Sequence, residues 1–284
     1  MAILNVDNAL PSQLWTAIRL FSGNNGIDAE QAHELLSPNS LSGSSHFQRT
    51  LRTLEKLEIV TKDEQGKLHL KYQPDSTAEL ARLLRTVLLD ADRNSDLAAH
   101  PNRDSRDLTI ILCFFLSSDP LGPPVTASTA NDFMSNSFSV EETNANPNDT
   151  RWNSFGRWAH ALGLGTPPLF PSAGARPMVA DCTSAVRDVL RHAPSLGSAV
   201  DTVRLLREQI PVLPGGKFAS ELHIGHPGES VVDAALSYAL LRGESENWLT
   251  LGRFADASRT VTLADPDEPG RRVSDIAYRK ESDE

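Results

Sequence analysis

Three apolar stretches at helical spacing, followed at once by two short β-type runs, fill residues 1–73, and this order constrains the fold more than any other feature of the chain. Leu14, Trp15, Ala17, Ile18, Leu20 and Phe21 form the first helical face, which Asn24-Asn25-Gly26 interrupts. Asp28 stands where its carboxylate can cap a second helix carrying Ala29, Ala32, Leu35 and Leu36. After Ser37-Pro38 and a Ser/Gly-rich connection, Ser44 or Ser45 can cap a third helix whose core face is Phe47, Leu51, Leu54 and Leu57. Ile59-Val60-Thr61 and Lys67–Tyr72 then flank a polar turn containing Gly66, so a β-hairpin closes the unit.

The remaining chain repeats parts of this order. Ser76–Asp92 reads as a connecting helix with Leu80, Leu83, Leu84, Val87 and Leu88 buried, and Arg93–Arg106 as a polar stretch. An apolar helix around Ile110–Leu116 precedes the break Pro120-Leu121-Gly122-Pro123-Pro124, and Trp152, Phe155, Trp158, Ala159 and Leu162 share one side of a later helix as core residues. Its exit, Leu162-Gly163-Leu164, echoes Leu57-Glu58-Ile59. Helices are expected over Thr183–His192, Ser198–Ile210 and Ser230–Arg242, and strands over Trp248–Leu251, Thr260–Leu263 and Arg272–Tyr278, the last two forming a terminal hairpin around Asp265–Gly270 that packs on the preceding helix. The tail, Lys280–Glu284, is expected to fray. The expected fold class is mainly α with small β-hairpins, α+β, built from two or three tandem units. The boundaries read are 1–73, a connecting helix and linker over 74–104, a degenerate helical unit over 105–166, a Pro-rich linker over 167–177, and a last unit over 178–284.

Lys and Arg number 27 against 37 Asp and Glu, which leaves a net charge of -10 and excludes a chain-wide basic coat for nucleic acid. The longest apolar run, Ile110–Leu116, is far below the ~20 residues needed to span a bilayer. With no basic leader and only Cys113 and Cys182, both in apolar stretches, a cytoplasmic protein with buried thiols and no membrane contact is expected.

Chemistry-bearing patterns are few. His223-Ile224-Gly225-His226 spells a tetrapeptide known from class I aminoacyl-tRNA synthetases, but it lies late in the chain, without the parallel-sheet context or the downstream lysine-rich loop that such chemistry needs. Pro214-Gly215-Gly216-Lys217 lacks the spacing of a phosphate loop and reads as a turn. No nucleophile elbow, zinc-protease helix or nuclease strand is present. No catalytic residue, cofactor or metal is therefore expected. The third helix is more informative. At about 100° per residue, Ser45, Arg49, Arg52 and Lys56 fall opposite Phe47, with Gln48 and Thr53 beside them. Guanidinium forks, an amide and hydroxyls on one face can read base edges and hold phosphates, with Lys62 and Lys67 of the hairpin on the flanking backbone. Seven basic residues against eight acidic ones in 1–73 leave that unit near neutrality, so any positive surface is local.

Leu14–Phe21, Asp28–Leu36 and Ser45–Leu70 together resemble the winged helix-turn-helix domain of bacterial DNA-binding proteins. Over the whole chain, the opening Ile3–Phe21, the hairpin and the stretch Arg271–Arg279 resemble the DpdG family of bacterial clusters that place 7-deazaguanine bases in DNA and restrict foreign DNA. That resemblance implies a non-enzymatic, accessory role in phage defence. Partners would be double-stranded DNA and other subunits of a defence or DNA-processing complex, with catalysis supplied by helicase-like or nuclease-like proteins. The alternatives left open are a stand-alone dimeric transcription regulator and an adaptor that binds proteins only.

Overall fold

The computed structural model describes residues 2–37, 45–97, 99–100, 103–137, 148–170, 176–194, 197–225, 227–255 and 257–279. Pro38, Ser44, His226 and the tail Lys280–Glu284, each named above, lie outside them, as does part of the Pro-rich stretch 167–177. Among the described residues the protein is mainly helical, with short antiparallel strand pairs, an α+β fold.

The N-terminal segment runs α1 (Pro11–Gly23), β1 (Ile27–Asp28), α2 (Ala29–Leu36), α3 (Ser45–Lys56), β2 (Val60–Lys62) and β3 (Lys67–Leu70). Its sheet has the order β1-β3-β2, with Ile27 opposite Leu68 and Val60 opposite Leu70. Pro11 suits the first turn of α1, where its missing N–H costs nothing. Phe47 and Leu54 of α3 and Leu57 just after it are buried with Leu14, Ile18 and Phe21 of α1 within one core.

α3 is stopped by a left-handed residue. Glu58 has φ 57°, the Ile59 N–H reaches back to the Leu54 carbonyl and the Glu58 N–H to that of Glu55, both at 3.0 Å, which satisfies two terminal carbonyls and turns the chain into β2.

The middle segment carries α5 (Arg106–Leu116), α6 (Ala127–Ser137) and α7 (Asp149–Ala161), after α4 (Thr77–Leu88). α7 ends in the same way as α3. Gly163 has φ 70°, the Leu164 N–H bonds the Ala159 carbonyl at 2.9 Å and the Gly163 N–H that of His160 at 3.0 Å. Glycine suits that position, because a Cβ in this left-handed backbone would also stand tightly, 3.0 Å from the Ser184 Cβ and 3.1 Å from the Ala185 nitrogen. Isolated bridges join Val125 to Met178 and Thr166 to Val179, both antiparallel. The backbone after α5, after α7 and at 178–179 thus repeats the pairing order of β1, β2 and β3, and the Pro-rich stretch after Thr166 connects two paired positions.

The C-terminal segment holds α8 (Thr183–His192), α9 (Ala199–Gln209), the short α10 (Lys217–Glu221) and α11 (Ala234–Ser245), then β4 (Leu249–Gly252), β5 (Val261–Thr262), β6 (Arg272–Val273) and β7 (Asp275–Tyr278). The exit of α11 is a third instance of the cap, with Asn247 at φ 63°. Two expectations change here. Ser230–Asp233 is not helical, because Asp233 caps α11 and the Val232 N–H bonds the Thr262 carbonyl instead. The run Arg272–Tyr278 is divided between two partners, β6 pairing with β5 and β7 with β4. The apolar side read for this region is covered all the same: Val261, Leu263, Val273 and Ile276 are buried, and the Ala264 N–H donates to Ser237 of α11.

The polar stretch after α4 is packed in. Asn94 and Ser105 are buried, the Asn94 amide donates to the Leu88 and Asp90 carbonyls, and Ser105 and Thr109 complete the network. Asp107, fully buried, accepts N–H groups from Ile3, Leu4 and its neighbour Leu108 at 3.1, 3.0 and 2.9 Å and so ties the chain start to α5. Burial pushes its carboxyl up to about 6, against the pull of those donors and of Arg151. A second tie runs from α4 to α8, where Arg82 and Arg85 both bond Asp188 and Arg85 also donates to the Leu162 carbonyl at 2.8 Å. No helix among the described residues is long and apolar enough to cross a membrane.

Candidate nucleic-acid interface

α3 separates its residues as its amphipathic pattern requires. Phe47, Leu54 and Leu57 are buried, Gln48, Arg52 and Lys56 are exposed, and Arg49 is half-buried at the margin. Ser45 begins the helix; its side chain is outside the described set. Among the described residues, the guanidiniums of Arg49 and Arg52 make no hydrogen bond or ion pair. Thr53 is a correction. Its hydroxyl faces inward, donating to the Arg49 carbonyl and accepting the Ala9 N–H at 3.0 Å, so it braces the chain start and is closed to any ligand.

The two ends of α3 differ electrostatically. At the C-terminal end Arg93 donates to the Lys56 carbonyl and pairs with Glu58, and Asp90, Asp92 and Asp104 border the same shallow cavity. Four carboxylates stand there against Lys71 and Arg93, so this cavity beyond the end of α3 is net negative. Gln48, Arg49 and Arg52 precede that end on α3.

Lys62 and Lys67 flank the β2–β3 turn, one exposed and one half-buried. Asp63 knots that turn, accepting the Gln65 and Lys67 N–H groups at 2.9 Å each and standing 2.9 Å from His69 Nε2. The bond to His69, ahead of those from the backbone, holds its carboxyl below the ordinary range. With Asp63 and Glu64 between them, the two lysines sit on a turn of no net charge.

Other sequence candidates take structural places. His223 is the left-handed residue that stops α10, with φ 56°, and Ile224 behind it is buried. Gly215, at φ 81°, lies against the Arg207 guanidinium in the turn before α10. Trp152, Phe155 and Phe115 stack edge and face at 4.8 to 6.4 Å in the core. Cys113 and Cys182 are buried, and burial raises both thiols well above their usual range, away from the reactive thiolate. Sequence reasoning did not anticipate a cavity of about 770 Å³ where α1, α4, α7 and α8 meet, because its walls come from stretches far apart in the chain.

The arrangement is a mainly helical α+β protein in which half-buried Arg49 and exposed Arg52 on α3 make no hydrogen bond or ion pair among the described residues. Residues 1–257 match the family described as DpdG-like, and the chain belongs to the DpdG-like family. No curated protein and no solved structure matches it.

Proposed function

We propose that the protein is a non-enzymatic winged-helix subunit of a bacterial DNA-modification and restriction system, and that its N-terminal segment binds double-stranded DNA. The observation that carries this reading is the pair Arg49 and Arg52, unpaired on the outer face of the third helix in a helix–strand–helix–helix–strand–strand unit. In such a unit that helix enters the major groove and the hairpin follows the backbone. Membership in the DpdG-like family supports the system in which it works. The acidic chain and the carboxylates beyond the end of α3 keep the contact small, so affinity alone is low and partner subunits supply the rest.

Fluorescence anisotropy on duplex DNA across a salt series tests this. A contact set of Arg49, Arg52, Lys62 and Lys67 gives a log-log slope of roughly -3 to -4, and Arg49→Ala/Arg52→Ala lowers it by about two. Identical curves for the two proteins would refute DNA reading by α3. A second reading, a protein-only adaptor, is favoured by Leu169 and Phe170, which are 93% and 90% exposed after Thr166. It predicts no salt-dependent DNA binding in either protein.

A further inference from the structure

The cavity between α1, α4, α7 and α8 has the volume of a small-molecule site, about 770 Å³ against the roughly 300–1,000 Å³ usual for such pockets. Its charges are uneven. Arg85 and Arg242 border it but are held by Asp188 and Asp181, whereas Arg157 is exposed and, among the described residues, has no hydrogen bond or ion pair. Arg157 stands six residues before the left-handed Gly163, as Arg52 stands six before Glu58, so the two arginines occupy the same place on equivalent helices. One turn on from Arg157, His160 holds its Nδ1 3.4 Å from the Gly165 carbonyl, and among the described residues its Nε2 has no hydrogen-bond partner. Leu80, Ala81 and Leu84 of α4 add apolar lining, and Trp15 of α1 lines the same cavity.

We propose that this cavity is a nucleotide-binding site, taking a phosphate on Arg157 and His160 and a base against Trp15. The phosphate finds a guanidinium that no carboxylate has claimed and an imidazole whose Nε2 donates to it in the protonated ring, Nδ1 already facing the Gly165 carbonyl. The base finds a flat aromatic side chain beside aliphatic ones, and stacking of this kind accepts any base. Three arginines against two aspartates make the cavity net cationic in a chain of charge -10, so an anion is drawn here in preference to most of the surface. The nucleotide comes either free or as one unit of a single DNA strand. The site is distinct from the outer face of α3 and does not rest on duplex binding there.

Intrinsic fluorescence reads the site directly. Trp152, Trp158 and Trp248 are buried, and Trp15 alone of the four tryptophans is partly open. The full-length protein is titrated with thymidine monophosphate, a single-stranded thymidine hexamer and hexaglutamate, with calorimetry alongside. A nucleotide form should quench the emission and hexaglutamate should not. Arg157→Ala, which removes an exposed and unpaired side chain, should weaken binding about tenfold or more. Trp15→Phe should abolish the quench while calorimetry still detects the ligand. Tighter binding of the hexamer assigns the site to a strand, and equal binding to a free nucleotide. Arg49→Ala/Arg52→Ala should bind both forms like the wild type, which separates this site from α3. Absence of binding by both nucleotide forms, equal binding by Arg157→Ala, or equal binding of hexaglutamate would overturn the proposal.

Discussion

The N-terminal and middle segments close their third helices with one backbone device and then put it to different uses. In each, a left-handed residue caps the helix, two N–H groups reach back to the same relative carbonyls, and the chain leaves in extended form. In the N-terminal segment the outer face of that helix meets solvent and carries Arg49 and Arg52 unpaired; in the middle segment Arg157 and His160 look into a cavity walled by α1 and α4. The cap residue differs as well. Gly163 is forced by α8 pressing on it, whereas Glu58 is exposed and pairs with Lys71 and Arg93. A shared scaffold therefore fixes the backbone, and what packs against it decides which face is left for a ligand.

The largest effect is expected from removing the partner strand that follows the third cap, at the end of α11. Truncation before Asp256 deletes β5, β6 and β7, leaves β4 unpaired, and removes the buried Val261, Leu263, Val273 and Ile276. At ~1.5–3 kcal/mol for each large apolar side chain, the loss is on the order of the whole stability of a domain. The shortened chain should lose solubility and its cooperative thermal transition. An unchanged transition would mean that the cap holds α11 and β4 without the strands that cover them.

Gly163→Glu, which imports the N-terminal cap residue into the middle segment, comes next. It adds left-handed strain of about 1 kcal/mol or more to a collision with backbone and Cβ atoms of α8, so a loss of about 3 kcal/mol is expected in urea unfolding. A loss below about 1 kcal/mol would show that α8 moves freely against the cap.

Asp107 tests how the two segments are joined. Its carboxyl titrates at about 6 in the fold against 3.8 for the free side chain, so between these values the folded chain holds more protons than the unfolded one. The stability this group contributes is present below about pH 4 and is lost as the pH rises through 6. The gap corresponds to about 3 kcal/mol. Asp107→Asn cannot ionise, so the wild type should lose ground to it by that amount between pH 4 and 7 in urea unfolding. A flat or opposite difference would mean that the Ile3 and Leu4 N–H groups outweigh the burial of the charge.

The N-terminal segment was legible in the sequence down to its sheet, because apolar spacing and Gly66 are local signals; Asp28 does hold the N-cap position of α2, but its carboxylate makes no capping bond there. The middle segment was legible only as helices and an echoed exit. Its pairings, Val125 with Met178 and Thr166 with Val179, are single bridges that join residues far apart and leave no alternating pattern. Polarity misled at Arg93–Arg106, where Asn94 and Ser105 are buried because they satisfy the carbonyls at the end of α4. It misled again at Thr53, which lies at the edge of the polar face by helical angle yet turns inward to meet Ala9. Arg49 and Arg52 were visible from spacing alone. That Arg93 and Asp104 of a later loop stand beside Lys56 was not, since they reach it only through the fold.

The smallest effect lies in the reverse exchange, Glu58→Gly. Glu58 holds φ 57° with a Cβ, which costs about 1–2 kcal/mol relative to ordinary helical backbone, and glycine removes that cost. Against this stand the ion pairs to Lys71 at 3.4 Å and Arg93 at 3.1 Å, made by a side chain that is 68% exposed, each worth only a few tenths of a kcal/mol. Glycine also gains freedom in the unfolded chain, which returns part of the benefit. The balance is a gain of about 0.5 kcal/mol, and removing one carboxylate from the end of α3 should also strengthen duplex binding slightly at low salt. Urea unfolding and anisotropy measured on the same variant check both signs. A variant less stable than the wild type would show that the ion pair to Arg93, and not the left-handed backbone, governs the end of α3.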